Sequence, residues 1–324
     1  MIEFKSNTTS KAKPTPIPDA TPEMDKALIE IGIELKNLAY NFKAITPESH
    51  RRVLNRDVVT TSLQDIFGWN RPFSFDQLPD NILSALQCSD MLLTHDQSYT
   101  SQIRFASLYD HLYLHSGFPT QRQDAVFFGP DTYRYARLLH QHVEKAERVV
   151  DIGCGSGAGG LCLHKRVERI CLADINSEAL RYARINAELA GIANRVDVVN
   201  SNILANVNGE FDLVISNPPY MVDDTERTYR HGGQQLGSEL SVRIAREGLQ
   251  RLTVGGKLIL YTASAIVNGV DTFWQSIQPV LEENNCEVYY DEIDPDVFGE
   301  ELDRLAYQHT DRLAVVSLIL KKRA

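Results

Sequence analysis

The chain is poor in cysteine, and it has no excess of positive charge and no long hydrophobic run. Its five cysteines (Cys88, Cys154, Cys162, Cys171 and Cys286) are odd in number and none forms a Cys-x-x-Cys pair. That argues against a disulfide framework and fits free thiols in a reducing, cytoplasmic setting. No apolar stretch approaches the roughly 18 residues of a membrane span, so no membrane partner is expected. Met1 to Thr21 lacks the apolar core of a secretory signal. Lysine and arginine number 33 against 43 acids, a formal charge of −10. Holding nucleic acid by bulk electrostatics needs a basic surface, so nucleic acid is a possible but disfavoured partner. A local basic patch stays open. What the chain does have is length. Its 324 residues, 43% of them hydrophobic, allow two domains at about 150 residues each. Such a chain closes a core without disulfides or metals.

Residues 1–22 read as a disordered tail, because Pro14, Pro16, Pro18 and Pro22 alternate with small and polar residues. Residues 23–125 read as an N-terminal module for substrate or partner recognition. Helices are expected over Met24–Ala44, from Thr46-Pro47 with Thr46 as N-cap, and near Thr61–Phe67 and Pro79–Cys88. Short strands follow at Met91–Thr94, Ile103–Ser107 and His111–His115, an order that resembles a winged helix.

Residues 126–324 alternate strand and helix. Strands are expected at Arg148–Ile152, Ile170–Ala173, Val196–Val199, Phe211–Ser216, Lys257–Thr262, Val288–Asp291 and Leu313–Lys321. Helices are expected from Asp131 or Thr132 to Val143, and over Gly157–Lys165, Ser177–Ala190, Leu236–Leu252 and Asp271–Glu283. Such alternation implies an α/β fold, a mostly parallel, doubly wound sheet with helices on both faces. The last two strands lack a helical crossover and should pair antiparallel.

The chemistry concentrates at the strand ends. Val149–Ile152 runs into Gly153-Cys154-Gly155-Ser156-Gly157, a turn whose glycines permit tight bending and close approach of a ligand. Alone this is weak, since nicotinamide and flavin enzymes use related loops. Asp151, before the first glycine, would repel a pyrophosphate but attract a cationic amino-acid tail. Asp174 ends the next strand, where an acid can take both ribose hydroxyls, with Ile175 beside it. Asn202 and Ile203 follow the third strand. Asn202 can accept from an adenine amino group, or it is a plain turn residue. Together these suit S-adenosylmethionine. The fourth strand ends Asn217-Pro218-Pro219-Tyr220. The prolines remove two N–H donors and fix the Pro218 carbonyl beside the Asn217 amide oxygen. That pair can accept both hydrogens of an –NH₂ group, and Tyr220 offers a flat face for a planar substrate.

On these motifs, residues 126–324 resemble a class I S-adenosylmethionine-dependent methyltransferase. They resemble most the small-domain branch with the release-factor glutamine and ribosomal guanine N-methyltransferases. Weaker parallels are Gly129-Pro130-Asp131-Thr132 upstream and Gly232-Gly233 with Leu236-Gly237 downstream. The resemblance implies a seven-stranded Rossmann-like sheet whose last strand is antiparallel. It implies S-adenosyl-L-methionine as cofactor and S-adenosyl-L-homocysteine as product. Cofactor contacts would be Asp151, Gly153, Cys154, Gly155, Gly157, Asp174, Ile175, Asn202, Ile203, Asn217 and Phe128. Asn217, Pro218 and Tyr220 would be catalytic, and Pro219 would join them in binding substrate. Residues 1–125 do not read as the helical substrate domain of the glutamine enzymes. Gly232-Gly233-Gln234 mimics the methylated motif of release factors and reads as a flexible loop.

Asp291 to Asp303 holds seven acids and no base. In the methyltransferase topology this connection lies on the cofactor edge. Asp296, Glu300 and Glu301 could then receive a small cationic or amide-bearing substrate, or a basic peptide or protein. A solvated acidic loop is the plain alternative. Two further readings stand: methylation of an exocyclic base nitrogen in RNA or DNA, and a non-catalytic adenosyl-sensing regulator. The acceptor motif argues against the regulator. No metal is expected, because His111/His115 and His140/His142 lack supporting ligands. The sequence sets no oligomeric state.

Overall fold

In the computed structural model the described residues are 20–324 except 57, 97, 121 and 223–228. Nearly all of the expected tail, 1–19, lies outside them. Its last residues are structured: the Thr21 hydroxyl accepts from the Met24 amide and caps α1 (Pro22–Asn37). That helix ends well before Ala44, and Ala39 beyond it adopts a φ of 55°. Thr46 caps α2 (Pro47–Leu54) as expected. A reciprocal Ser62–Asp65 capping box starts α3 (Leu63–Phe67). Next come α4 (Asp80–Cys88), β1 (Leu92–Thr94), β2 (Tyr99–Ser101), β3 (Ile103–Leu108) and β4 (His111–Ser116). They close two antiparallel hairpins, β1–β2 and β3–β4. Strand β2 has no counterpart in the sequence reading because Tyr99-Thr100-Ser101 is too short and polar to show alternation.

The larger unit comprises α5 (Pro130–His142), β5 (Ala146–Ile152), α6 (Ala158–Cys162), β6 (Val167–Asp174), α7 (Ser177–Leu189), β7 (Val196–Asn200) and β8 (Phe211–Ser216). It continues with α8 (Glu239–Gln250), β9 (Leu252–Val267), β10 (Val270–Asp271), α9 (Thr272–Glu282), β11 (Cys286–Asp294) and β12 (Arg312–Lys322). The strands lie in the order β11-β12-β9-β8-β5-β6-β7. β5 to β9 pair in parallel, and β12 is antiparallel to both β9 and β11. The seven expected strands are all present. The two-residue β10, hairpinned onto β9, is an eighth.

Sequence alternation sorts the two faces. Val149, Leu172, Ile215 and Ile259 pack under α5, α6 and α7, whereas Val150, Ala173, Val214 and Leu258 pack under α8 and α9. Two boundaries differ from expectation for backbone reasons. Leu236 and Gly237 take φ of 56° and 90°, so α8 begins only at Glu239. The helix expected to run to Leu252 ends at Gln250, and Leu252 already opens β9, where the pairing with β8 jumps from Phe211–Leu252 to Leu213–Lys257 across Gly255 and Gly256.

The N-terminal unit shares its core with the larger one. Leu28, Ile31, Leu35, Phe105 and Leu114 cluster with Ala179, Tyr182, Ile185 and Leu189 of α7. Arg181 donates to Asp25 at 2.5 Å, and Lys36 to the Leu189 carbonyl at 2.7 Å. Buried Asn186 accepts from the Leu114 amide and donates to the Ser156 carbonyl, so β4, α7 and the glycine turn are joined by one side chain.

Candidate functional site

The carboxyl ends of β5, β6, β7 and β8 and the loop after β11 open on one cavity of about 280 Å³. That edge is where open α/β sheets bind ligands.

On one side stands the glycine turn. Gly153, Gly155 and Gly157 have φ of 68°, 53° and 78°, which favour glycine. Asp174 is nearly buried. One of its oxygens accepts from the Gly155 amide and the other from the Asn176 amide, each at 2.9 Å. Each oxygen keeps acceptor capacity for a further donor. Burial pushes its carboxyl above the usual range. Ile175, Asn202 and Ile203 line the same side. A carboxylate for a diol, two aliphatic side chains for a flat ring and an amide at its edge fit an adenosine.

Asp151 is turned partly away from the cavity. Its Oδ2 accepts from the Gly160 amide at 2.8 Å, and its Oδ1 meets the Tyr135 hydroxyl at 3.5 Å. A Cβ on Gly159 would lie 2.7 Å from that Oδ2, so the carboxylate sits against the start of α6. Desolvation pushes its pKa up to about 7. Cys154 lines the cavity, but burial drives its thiol well above the usual value, which keeps it a neutral wall.

On the other side, Asn217, Pro218, Pro219 and Tyr220 all line the cavity. The Tyr220 hydroxyl donates to Asp131 Oδ2 at 2.9 Å, and Tyr261 donates to Asp131 Oδ1 at 2.8 Å. Phe298 faces Tyr220 with ring centroids 6.3 Å apart, while Phe127 and Tyr229 stand parallel at 5.9 Å. Side chains at Gly232 or Gly237 would collide with the Tyr220 backbone. That contact is the physical reason behind the downstream glycines. It also makes Gly232 a buried, packed position instead of part of a free loop.

Four of the expected site residues do not line this cavity. Phe128 is buried against Tyr113, His115 and Tyr133, and Phe127 takes the cavity position instead. Gly157 is the cap of α6, where a Cβ would press on Leu161 and Leu172. Asp296 is exposed beside Asp294, to which its amide donates. Glu301 is buried and ion-paired with both Arg230 and Arg304. Glu300 does line the cavity. Three of the seven acids of the rim are ion-paired: besides Glu301, Glu292 pairs with Arg312 at 3.0 Å and Asp294 with Arg134 at 3.1 Å. Arg230 itself lines the cavity.

Sequence reasoning missed Tyr261 and Arg230 as site residues. It named Asp131 only as a helix start and in the weaker Gly129-Pro130-Asp131-Thr132 parallel; Gly129 is the cap of that helix. The Gly-Pro-Asp-Thr segment was the one signal for Asp131, and no local pattern marks the other two. The paired histidines also have other partners: His111 meets His164, and His115 stacks on Phe128. Among the described residues no group of three metal-ligating side chains occurs, and no helix is long and apolar enough to cross a membrane.

Residues 121–268 match the methyltransferase small domain family. Ribosomal RNA small subunit methyltransferase C of Klebsiella pneumoniae is 34% identical over 113 residues, 34% of this chain and 30% of that protein. Release factor glutamine methyltransferase of Deinococcus radiodurans is 31% identical over 144 residues, 43% of this chain and 50% of that protein. The chain thus matches half or less of either relative's length. Among solved structures, Trm5b of Pyrococcus abyssi overlays with a TM-score of 0.50 at 13% identity, covering 75% of this chain and 67% of that one, a likeness of fold alone. The stretch 121–268 is thus similar to the methyltransferase small domain family, and the sheet of residues 146–322 has the Rossmann-like fold of the class I S-adenosylmethionine-dependent methyltransferases.

Proposed function

We propose that the protein is an S-adenosylmethionine-dependent N-methyltransferase acting on the exocyclic amino group of a base in RNA. The observation that carries this is the flat, aromatic acceptor side of the cavity. Tyr220 and Phe298 stand beside Asn217, and Arg230, paired with Glu301, lines the same cavity. Planar bases extruded from a strand stack on such rings and are read along their edges. The ion pairs at Glu292, Asp294 and Glu301 weaken the case for a cationic substrate and make a phosphate-bearing one more acceptable. The ribosomal RNA enzyme among the relatives supports the same choice.

When bound, the cofactor supplies an electrophilic methyl group. The chain's own task is the nucleophile, whose nitrogen lone pair is delocalised into the base. The Asn217 amide oxygen and the Pro218 carbonyl accept the two amino hydrogens and favour the localised, pyramidal nitrogen. These bonds strengthen as charge develops on that nitrogen. No strong base is required, because the product sheds its proton readily. The N-terminal unit, which places Pro47 on the cavity wall, engages the rest of the substrate. The acceptor pair has no use in an adenosyl sensor, so catalysis is the better reading.

Transfer of labelled methyl from the cofactor tests this against four acceptors: unmodified ribosomal RNA transcripts, release factor, basic peptides and free guanidino compounds. Label in RNA is expected. Label only in release factor would move the acceptor to a protein amide, and label only in the cationic compounds would restore the acidic-rim reading.

A further inference from the structure

Asp131 is a carboxylate that neither cofactor binding nor the acceptor pair accounts for. It lies in the first turn of α5 and is only 5% exposed. A charge so buried is costly unless donors surround it. Here Tyr220, Tyr261 and Arg134 reach it at 2.9, 2.8 and 3.1 Å. Arg134 also pairs with Asp294, the last residue of β11, at 3.1 Å. One carboxylate thus ties the start of α5, the loop after β8 and the middle of β9 together, and through Arg134 the end of β11 from which the Phe298 loop departs.

The tie matters because of what else holds Tyr220. Its backbone is clamped by Pro219 before it and by Gly232 and Gly237 against it. The remaining freedom is the swing of the side chain about its Cα–Cβ bond, and the hydroxyl anchor removes that. We propose that Asp131 is a positioning residue for methyl transfer. Its carboxylate fixes the direction of the Tyr220 side chain through the hydroxyl, and so fixes where the ring stands beside the amino group that meets Asn217 and the Pro218 carbonyl. The proposal rests on the N-methyltransferase reading given above. Its effect belongs on the rate of transfer, since alignment of reacting groups dominates that step.

The test uses the full chain with Tyr220→Phe, Asp131→Asn and the double variant. Each single change is expected to slow single-turnover transfer to the ribosomal RNA transcript about tenfold and to leave S-adenosylhomocysteine affinity unchanged. The double variant should be no slower than the singles, because both remove one anchor. Additive losses, or Tyr220→Phe at the parent rate, would overturn the proposal. An acceptor-free measurement separates it from the choice of substrate. In protein made with ring-¹³C tyrosine and saturated with S-adenosylhomocysteine, the Tyr220 resonance is assigned by its loss in Tyr220→Phe. It should shift in Asp131→Asn. An unchanged resonance overturns the anchor whatever the acceptor is. A shifted resonance with no label in RNA supports the anchor and overturns the RNA reading.

Discussion

On the cofactor side of the cavity the binding groups stand within a few residues of a strand end, and backbone amides hold them. Asp174 takes its two hydrogen bonds from Gly155 and Asn176. On the acceptor side the partners come from far along the chain. Tyr220 and Asp131 are 89 residues apart, and Tyr261 and Asp131 are 130 apart. The first side is written into the local backbone and tolerates change around it. The second is a side-chain network, where one altered member is felt by the others.

The contrast breaks most sharply at Asn217. Asn217→Ala removes one of the two acceptors for the –NH₂ group without touching the glycine turn. Methyl transfer should fall by about a thousandfold or more, while S-adenosylhomocysteine binds as in the parent by calorimetry. Lost cofactor binding would mean that the two sides are not separable. The reciprocal change is Asp174→Ala. Losing a charge-assisted acceptor of a diol should weaken cofactor affinity by about a hundredfold, with transfer at saturating cofactor much less affected. Rates that stay low at saturation would place Asp174 in the acceptor machinery instead.

The same contrast explains what was legible in the sequence. The strands and both loops at the centre of the sheet were readable, because a buried strand, a glycine turn and a following acid are contiguous signals. The acceptor pair was readable because Asn217-Pro218-Pro219-Tyr220 is a single run. The Asp131 network was not, since nothing local links Pro130-Asp131 with Tyr261 on β9. The pairing within the acidic rim was hidden for a related reason: composition counts Glu292, Asp294 and Glu301, but their arginines lie at positions 312, 134, 230 and 304. Charge runs can be weighed only after pairing is known. Phe128 and Phe127 are neighbours with opposite fates, and only packing chose between them.

A smaller effect should come from Asp151, which sits at the boundary of the two sides. Its carboxyl titrates near 7 in the folded chain against 3.8 ordinarily, chiefly because burial penalises the charge. Between those values the folded state holds a proton that the unfolded state has released. Its contribution to stability is therefore full below the ordinary value and is lost as pH rises through about 7. A cation bound nearby favours the ionised form, so cofactor affinity should run the other way. It should tighten about tenfold between about pH 6 and pH 8 and then level off. Calorimetric titrations across that range check both trends. In Asp151→Asn the slope should vanish, and a slope that persists would assign the titration to another group.

The smallest effect expected concerns Glu301, at the outer edge of the acceptor side. Its carboxylate pairs with Arg230, which lines the cavity, and with Arg304 at 2.8 Å. Glu301→Gln keeps the size and the acceptor oxygen but removes the charge. If Arg230 meets a phosphate of the substrate, releasing it from its carboxylate raises the local positive potential. Binding of the RNA transcript should then tighten about threefold at low salt, and the gain should shrink as salt is added. The rate at saturating RNA should stay near that of the parent, because Asn217, Tyr220 and Asp131 are untouched. A loss of RNA affinity would mean instead that Glu301 holds Arg230 in a needed orientation. The two outcomes separate cleanly in a salt titration: lost orientation weakens binding at every salt concentration, whereas a freed charge acts only when screening is weak.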